Sequence, residues 1–270
     1  MPSKYATTSG LPPLARAHAE ALRNLVREAS ERNTSQTFVI EGPHLLERAF
    51  ESASARIKEI LFTNQALEAY PSLAKRAERK NISTYLVADK LAERISDTKS
   101  PQGIFAVMAM SDSQITLEED SLVMALDGVQ DPGNVGTIIR TAAWFGVRHI
   151  FLGSGCADPY SSKVLRATQG EIFVVSVGQR GELRSSLLSL QHKGFQVLAA
   201  TIDSSAGSLY KTSFAKKIVL VFGSEAHGVG KQILGMADGQ IIIPKFGQGE
   251  SLNVATSVGI MLSEVMRKRQ

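Results

Sequence analysis

The sequence predicts an α/β protein built in two parts, on three observations. Short apolar runs alternate with longer stretches of helical periodicity along most of the 270 residues, the pattern of strands interleaved with helices and paired partly in parallel. A polar, acidic stretch, SDSQITLEED at 111–120, interrupts the alternation with the composition of a linker. Beyond it, three apolar runs end in clusters of glycine with Asn, Arg, Glu or Ser, at the strand ends where open α/β sheets bind ligands.

Residues 12–32 are expected to form one helix. Pro12 and Pro13 suit a first turn, and Leu14, Ala17, Leu22, Leu25, Val26 and Ala29 recur near one face. Arg16, Arg23, Arg27 and Arg32 fall elsewhere, as a solvated basic surface or as contacts to nucleic-acid phosphates. Strands then follow at 37–40, 57–62, 83–87 and 103–110, with helices at 43–52, 65–80 and 88–95. That block is the size of a small domain. A second series places strands at 121–126, 148–152, 173–177, 195–201, 218–222 and 239–243, and helices at 135–145, 161–168 and 182–192. A last helix spans 251–267, where Arg267, Lys268 and Arg269 complement its negative end. The expected organisation is a helical extension over 1–35, a small α/β domain over 36–110, a linker over 111–120 and a second α/β domain over 121–270.

Composition narrows the functions. Apolar residues make up 43% of the chain, enough for sizeable cores. No apolar run reaches the length of a membrane span. The first residues, MPSKYATTSGLPP, lack the apolar centre of a secretory signal and fit at most a weak transit sequence. The single cysteine, Cys156, excludes an internal disulfide and clustered-cysteine zinc sites. It reads as a small residue near a strand end. Net charge is +4, with 15 basic and 12 acidic residues in 1–110 against 15 and 14 in 111–270. The N-terminal part is therefore the more basic, which suits a polyanionic partner.

The first cluster, LDGVQDPGNVGTIIR at 126–140, combines a tight turn with a helix start. Asn134 is placed to cap that helix. Arg140 follows about 1.7 turns later in an otherwise apolar stretch, where it must be paired or reach solvent. The second cluster, VFGSEAHG at 221–228, offers Gly223 for close approach of a ligand to the backbone. Its Glu225 is suited to hold Arg140 or a hydroxyl, or simply to start a helix. In the third, IPKFGQGESLNV at 243–254, Ser251 is a natural N-cap, which puts Asn253 in a first turn that favours negative charge. A fourth, PYSSKVLRATQG at 159–170, sets Lys163 and Arg166 on one helix face.

Together these clusters resemble the signature motifs of the SpoU (TrmH-like) family of SPOUT RNA ribose 2′-O-methyltransferases. The resemblance implies a second domain with a mostly parallel sheet and a deep trefoil knot, dimeric through that domain. It implies S-adenosylmethionine as cofactor and no metal. Asn134, Arg140, Glu225, Ser251 and Asn253 match its catalytic positions. Thr201, Gly223, Ile243 and Leu252 match its cofactor-binding positions, and Lys163 and Arg166 lie where RNA is held. His227 has no counterpart in the family pattern. EGPHLL at 41–46 and TKSPQG at 98–103 resemble the beginning and end of the small RNA-binding domain fused to many members. That extra domain favours ribosomal RNA of the large subunit, acted on in the cytoplasm, with tRNA as the alternative substrate. A silent SpoU-like binder would have lost Arg140, Glu225 or Asn253. A dinucleotide-dependent dehydrogenase would need G-x-G-x-x-G after its first strand, of which Gly153 and Gly155 are only a fragment.

Overall fold

A computed structural model describes residues 10–110, 117 and 121–269, with 179–181 described by their backbone alone. It divides into two compact units, Met1–Asp112 with Tyr160–Phe173 and Ser113–Pro159 with Val174–Gln270.

The first unit opens with helices α1 (Arg16–Arg27) and α2 (Ala29–Ser35), followed by β1 (Thr37–Glu41), α3 (Pro43–Glu51), β2 (Arg56–Phe62), α4 (Asn64–Ala69), α5 (Pro71–Arg79), β3 (Ser83–Leu86), α6 (Asp89–Ile95) and β4 (Ile104–Ala109). Its sheet runs β1-β4-β2-β3, with antiparallel pairs except for the parallel β2–β3. Leu22, Val39, Leu61, Ile95 and Phe105 share one buried core.

Three expectations fail here for identifiable reasons. Residues 12–14 are extended, and lie along β3 through Leu86 N–H to Pro12 O and Leu14 N–H to Leu86 O. A proline that cannot donate suits such a sheet edge. The helix then breaks at Glu28, which is extended. Arg32, expected on a basic face, is buried and donates to the carbonyls of Leu25 and Val26 at 2.6 and 3.0 Å, closing the last turn of α1. The helix expected over 65–80 is likewise two, because Pro71 drives Tyr70 out of the helical region.

The second unit holds β5 (Leu122–Asp127), α7 (Pro132–Trp144) and β6 (His149–Gly153). The next helix, α8 (Ser162–Thr168), belongs to the first unit, where it packs on β1 and Tyr160 meets the Phe38 ring at 4.6 Å. The second unit continues with β7 (Ser176–Gly181), α9 (Leu183–His192), β8 (Gln196–Thr201), β9 (Gly207–Ser208), β10 (Ile218–Gly223), α10 (Lys231–Leu234), β11 (Gly239–Ile242) and α11 (Val254–Arg269). All seven strands are parallel, in the order β7-β6-β5-β10-β8-β11-β9.

Val123, Ala125, Val197, Val219 and Val221 pack under α9 and α10. The alternate residues Met124, Leu126, Leu220 and Phe222 are buried on the opposite face, where α11 runs along α7 and against β10. Covering on both faces explains strands that are apolar throughout. The expected linker lies, apart from Leu117, outside the described residues. Leu117 packs against the second core. Among the described residues no helix is long and apolar enough to cross a membrane.

Candidate active site

Parallel strands all point their C-terminal ends the same way, so the order β5-β10-β8-β11 sets four exits side by side. Asp127 of β5 is in register with Gly223 of β10, and Thr201 of β8 with Ile242 of β11. The three motif clusters leave the sheet along this one edge.

Helix α7 begins with Asp131 as its N-cap, whose carboxylate accepts the Asn134 N–H at 2.8 Å, and with Pro132 in the first turn. The cap expected of Asn134 is therefore supplied by Asp131, and the Asn134 side chain is left free. Its amide nitrogen donates to Glu225 Oε1 and its oxygen accepts from Asn253 Nδ2 at 2.9 Å. Asn253, not Ser251, caps α11: its oxygen accepts the N–H groups of Ala255 and Thr256 at 2.9 and 3.2 Å. Ser251 is exposed and lies further outside the helix. Both residue types cap well, but only the one at 253 also reaches Asn134.

The polarity of this chain of bonds is fixed at both ends. Glu225 as a carboxylate only accepts, which turns the Asn134 NH₂ toward it. Asn253 must present its oxygen to the α11 amides, which turns its NH₂ toward Asn134. The result is a rigid, solvent-facing strip joining a strand-end loop to two helix N-termini.

The loop that carries Glu225 is itself braced. Ser224 and Gly228 exchange both backbone hydrogen bonds, and a Cβ at Gly223 would collide with the backbone of Gly228 and Val229. The chain's own return thus by itself demands glycine there. Asp127 Oδ2 then accepts the Gly230 N–H at 2.8 Å. Neither Asp127 nor Asp131 was expected to act, although both stand inside the first cluster.

Arg140 is exposed on α7. Six residues at 3.6 per turn put it about 120° around the helix from Asn134. Glu225 bonds Asn134 rather than the arginine. The apolar stretch around Arg140 is accounted for by its reaching solvent. Thr201 ends β8, where its hydroxyl accepts the Asp203 N–H at 3.1 Å, and Ile243 is half-buried just past β11. Leu252, Phe246 and Ile202 are large apolar residues left exposed in these loops.

Lys163 and Arg166 stand in the first unit. Lys163 is exposed, whereas Arg166 is half-buried and paired with Asp97 at 3.8 Å. Cys156 is buried, with its thiol donating to Leu126 O at 3.3 Å, and burial pushes the thiol pKa up. Among the described residues no three His, Cys, Asp or Glu side chains are grouped to hold a metal.

A parallel sheet with polar side chains converging at its carboxyl edge defines an α/β enzyme domain with a ligand site there. Residues 121–263 match the SpoU rRNA methylase family, and residues 20–106 match the MRM3-like substrate binding domain. The chain is 34% identical to an uncharacterized tRNA/rRNA methyltransferase of Synechocystis sp., over 92% of its own length and 90% of that protein. It is also 34% identical to the 23S rRNA (guanosine(2553)-2′-O)-methyltransferase RlmP of Bacillus subtilis, over 86% of its length and 89% of that enzyme. The S-adenosylmethionine-bound rRNA methyltransferase of Sinorhizobium meliloti superposes with a TM-score of 0.82 at 27% identity, covering 95% of this chain and 97% of that one. The chain belongs to the SpoU rRNA methylase family. It is an S-adenosylmethionine-dependent RNA 2′-O-methyltransferase.

Proposed function

We propose that the protein methylates one ribose 2′-OH of 23S ribosomal RNA, in the cytoplasm. The observation that carries this reading is the strip Glu225–Asn134–Asn253 at the carboxyl edge of the sheet. Support for the large ribosomal RNA comes from the Bacillus relative, which this chain matches through both its parts. In this reading residues 36–110 hold the RNA and 121–270 carry the chemistry. The trefoil knot of the family and a homodimer through the knotted domain belong to the same proposal. Trp144, 85% exposed at the end of α7, is the kind of side chain a second copy would cover.

Thr201, Gly223, Ile243 and Leu252 are the residues that would hold S-adenosylmethionine. They fit it in kind: strand-end backbone from three adjacent exits, with Leu252 and Ile202 offering apolar surface. The cofactor supplies a methyl group on a sulfonium, whose departing thioether is neutral and needs no acid. What remains for the protein is alignment and activation of the hydroxyl. Asn134 and Asn253, each held by the other, are placed to fix donors and acceptors without mobile side chains. Glu225 serves by orienting Asn134. Arg140 acts as an electrostatic clamp that stabilises the developing alkoxide, the proton leaving to phosphate or water, because a guanidinium keeps its proton and is no base. Its position around α7 from Asn134 fits a clamp offered to the site of a second subunit. Ser251 lies free beside Asn253 to contact substrate.

The test is a map of ribose methylation in total RNA from a deletion strain against wild type. Loss of one 2′-O-methyl in 23S rRNA, restored by the wild-type gene and not by Arg140→Ala, is the expected result. A loss confined to tRNA would replace the substrate, and an unchanged map would remove the proposal. Near-normal turnover with Arg140→Lys at unchanged RNA affinity would remove the bidentate clamp.

A further inference from the structure

We propose that the groove between α1 and α6 is a sequence-independent docking surface for the phosphate backbone of the RNA substrate. The inference rests on the reading of the chain as an RNA methyltransferase, and it deepens that reading by naming where the first unit grips.

On α1, Arg16, Glu20, Arg23 and Arg27 recur at intervals of four, three and four, which aligns them in one stripe. Eleven residue-to-residue rises from Arg16 to Arg27 make that stripe about 16 Å long. The buried Ala19 and Leu22 tie α1 to the core that also contains Ala92 and Ile95 of α6. Helix α6 faces the stripe with Leu91, Glu93 and Arg94, and together these residues line a groove of about 410 Å³.

Four guanidinium groups and two carboxylates leave the lining with an excess of two positive charges. Only Arg16 is engaged, with Glu20 at 3.6 Å in an exposed pair. Arg23, Arg27 and Arg94 are exposed and make no hydrogen bond or ion pair among the described residues. The contrast with Arg32 is instructive: in the same helical pair, that arginine is buried and spends its guanidinium on backbone carbonyls. The three free groups are not used for stability, and unpaired like charges held together on fixed helices repel one another. A polyanion relieves that repulsion. Guanidinium forks bind phosphate oxygens bidentately, and each phosphate neutralised releases a counterion. The groove offers no wide apolar floor or aromatic platform, so it suits a backbone rather than bases or a peptide.

The test uses the full chain and unmodified 23S rRNA transcribed in vitro. Its dissociation constant is measured from about 50 to 300 mM KCl, and methyl transfer is followed at varied RNA. Arg23→Gln/Arg27→Gln/Arg94→Gln is expected to weaken binding roughly tenfold or more near 100 mM salt, and to flatten the log–log salt slope by about 2 to 3. The RNA KM should rise in parallel while kcat at saturating RNA holds. The matching triple lysine variant is expected to keep the wild-type slope. Glu93→Gln, with one negative charge fewer, is expected to tighten binding a few-fold, which reads the surface even if the triple glutamine variant misfolds. A triple glutamine variant with wild-type slope and KM would overturn the proposal. So would a loss that lysine does not restore, or a Glu93→Gln that does not tighten. Absence of methyl transfer by the wild type, with tight salt-dependent binding intact, would count against the catalytic reading and leave the groove standing.

Discussion

Asn253 Nδ2 donates to Asn134 Oδ1 at 2.9 Å, joining the cap of one helix to the first turn of another across 119 positions of sequence. The same Asn253 caps α11 through its oxygen, so one side chain performs two separable jobs.

Substitutions can divide them. Asn253→Ala removes both, and is expected to cost about 1 kcal/mol of stability as a lost cap. Asn253→Asp keeps an N-cap of equal quality but offers no donor to Asn134. If Asn134 rotates its NH₂ toward the new carboxylate, its oxygen then faces the Glu225 carboxylate. Thermal melts of Asn253→Asp are expected to stay close to wild type, while kcat falls on the order of tenfold or more for a lost bond to a charged network. Wild-type turnover in Asn253→Asp would show that the strip is ornamental.

Asp127 offers a second lever, since it touches no residue of the strip and acts only by bracing the loop that carries Glu225. Asp127→Ala leaves the Gly230 N–H without its acceptor and is expected to weaken S-adenosylmethionine binding roughly fivefold, equivalent to about 1 kcal/mol. Asp127→Asn retains an acceptor oxygen and should recover most of that loss. Calorimetric titration of the three proteins decides it: equal affinities would remove the brace.

Much of this was readable from the chain, and what was not has a common cause. Apolar runs such as 122–126 and 218–222 announce buried strands, because parallel strands covered on both faces have no polar side to show. The motif clusters announce the edge where the site lies. Partners 91 and 119 residues apart are another matter. The Asp131 cap was within reach of local reading, since Asp before Pro opens a helix, but spacing could not choose between Ser251 and Asn253, because only the contact with the distant Asn134 distinguishes them. The split of residues 65–80 at Pro71 was, by contrast, legible, because a proline restricts the residue before it.

Cys156 carries a prediction of inertness. Burial raises its thiol pKa and the Sγ is turned to Leu126 O, so little thiolate exists at neutral pH. Native protein at pH 7.5 is expected to react with an aromatic disulfide reagent at least about a hundredfold more slowly than urea-unfolded protein. Comparable rates would show that the thiol is accessible.

The last turn of α11 gives a pH dependence with a definite sign. Arg267 donates to Glu264 through Nε and Nη2, both at 2.7 Å, and Lys268 lies at 3.4 Å. The Arg267 hydrogen bonds lead in holding the Glu264 carboxyl down to about 2 from an ordinary 4.5, against a desolvation that acts the other way. The folded state therefore binds fewer protons than the unfolded chain between those two values, so stability from this group rises with pH across that window and is constant above it. Acidification from pH 4.5 toward 2 removes the contribution. Glu264→Gln never has it. The gap in melting temperature between wild type and Glu264→Gln is thus expected to be widest and flat from about pH 5 to 7, and to close as the pH approaches 2. Subtracting the two curves cancels the other carboxylates. A gap of the same size at pH 2.5 and pH 7 would mean that packing, and not the ionised pair, is what the substitution removes.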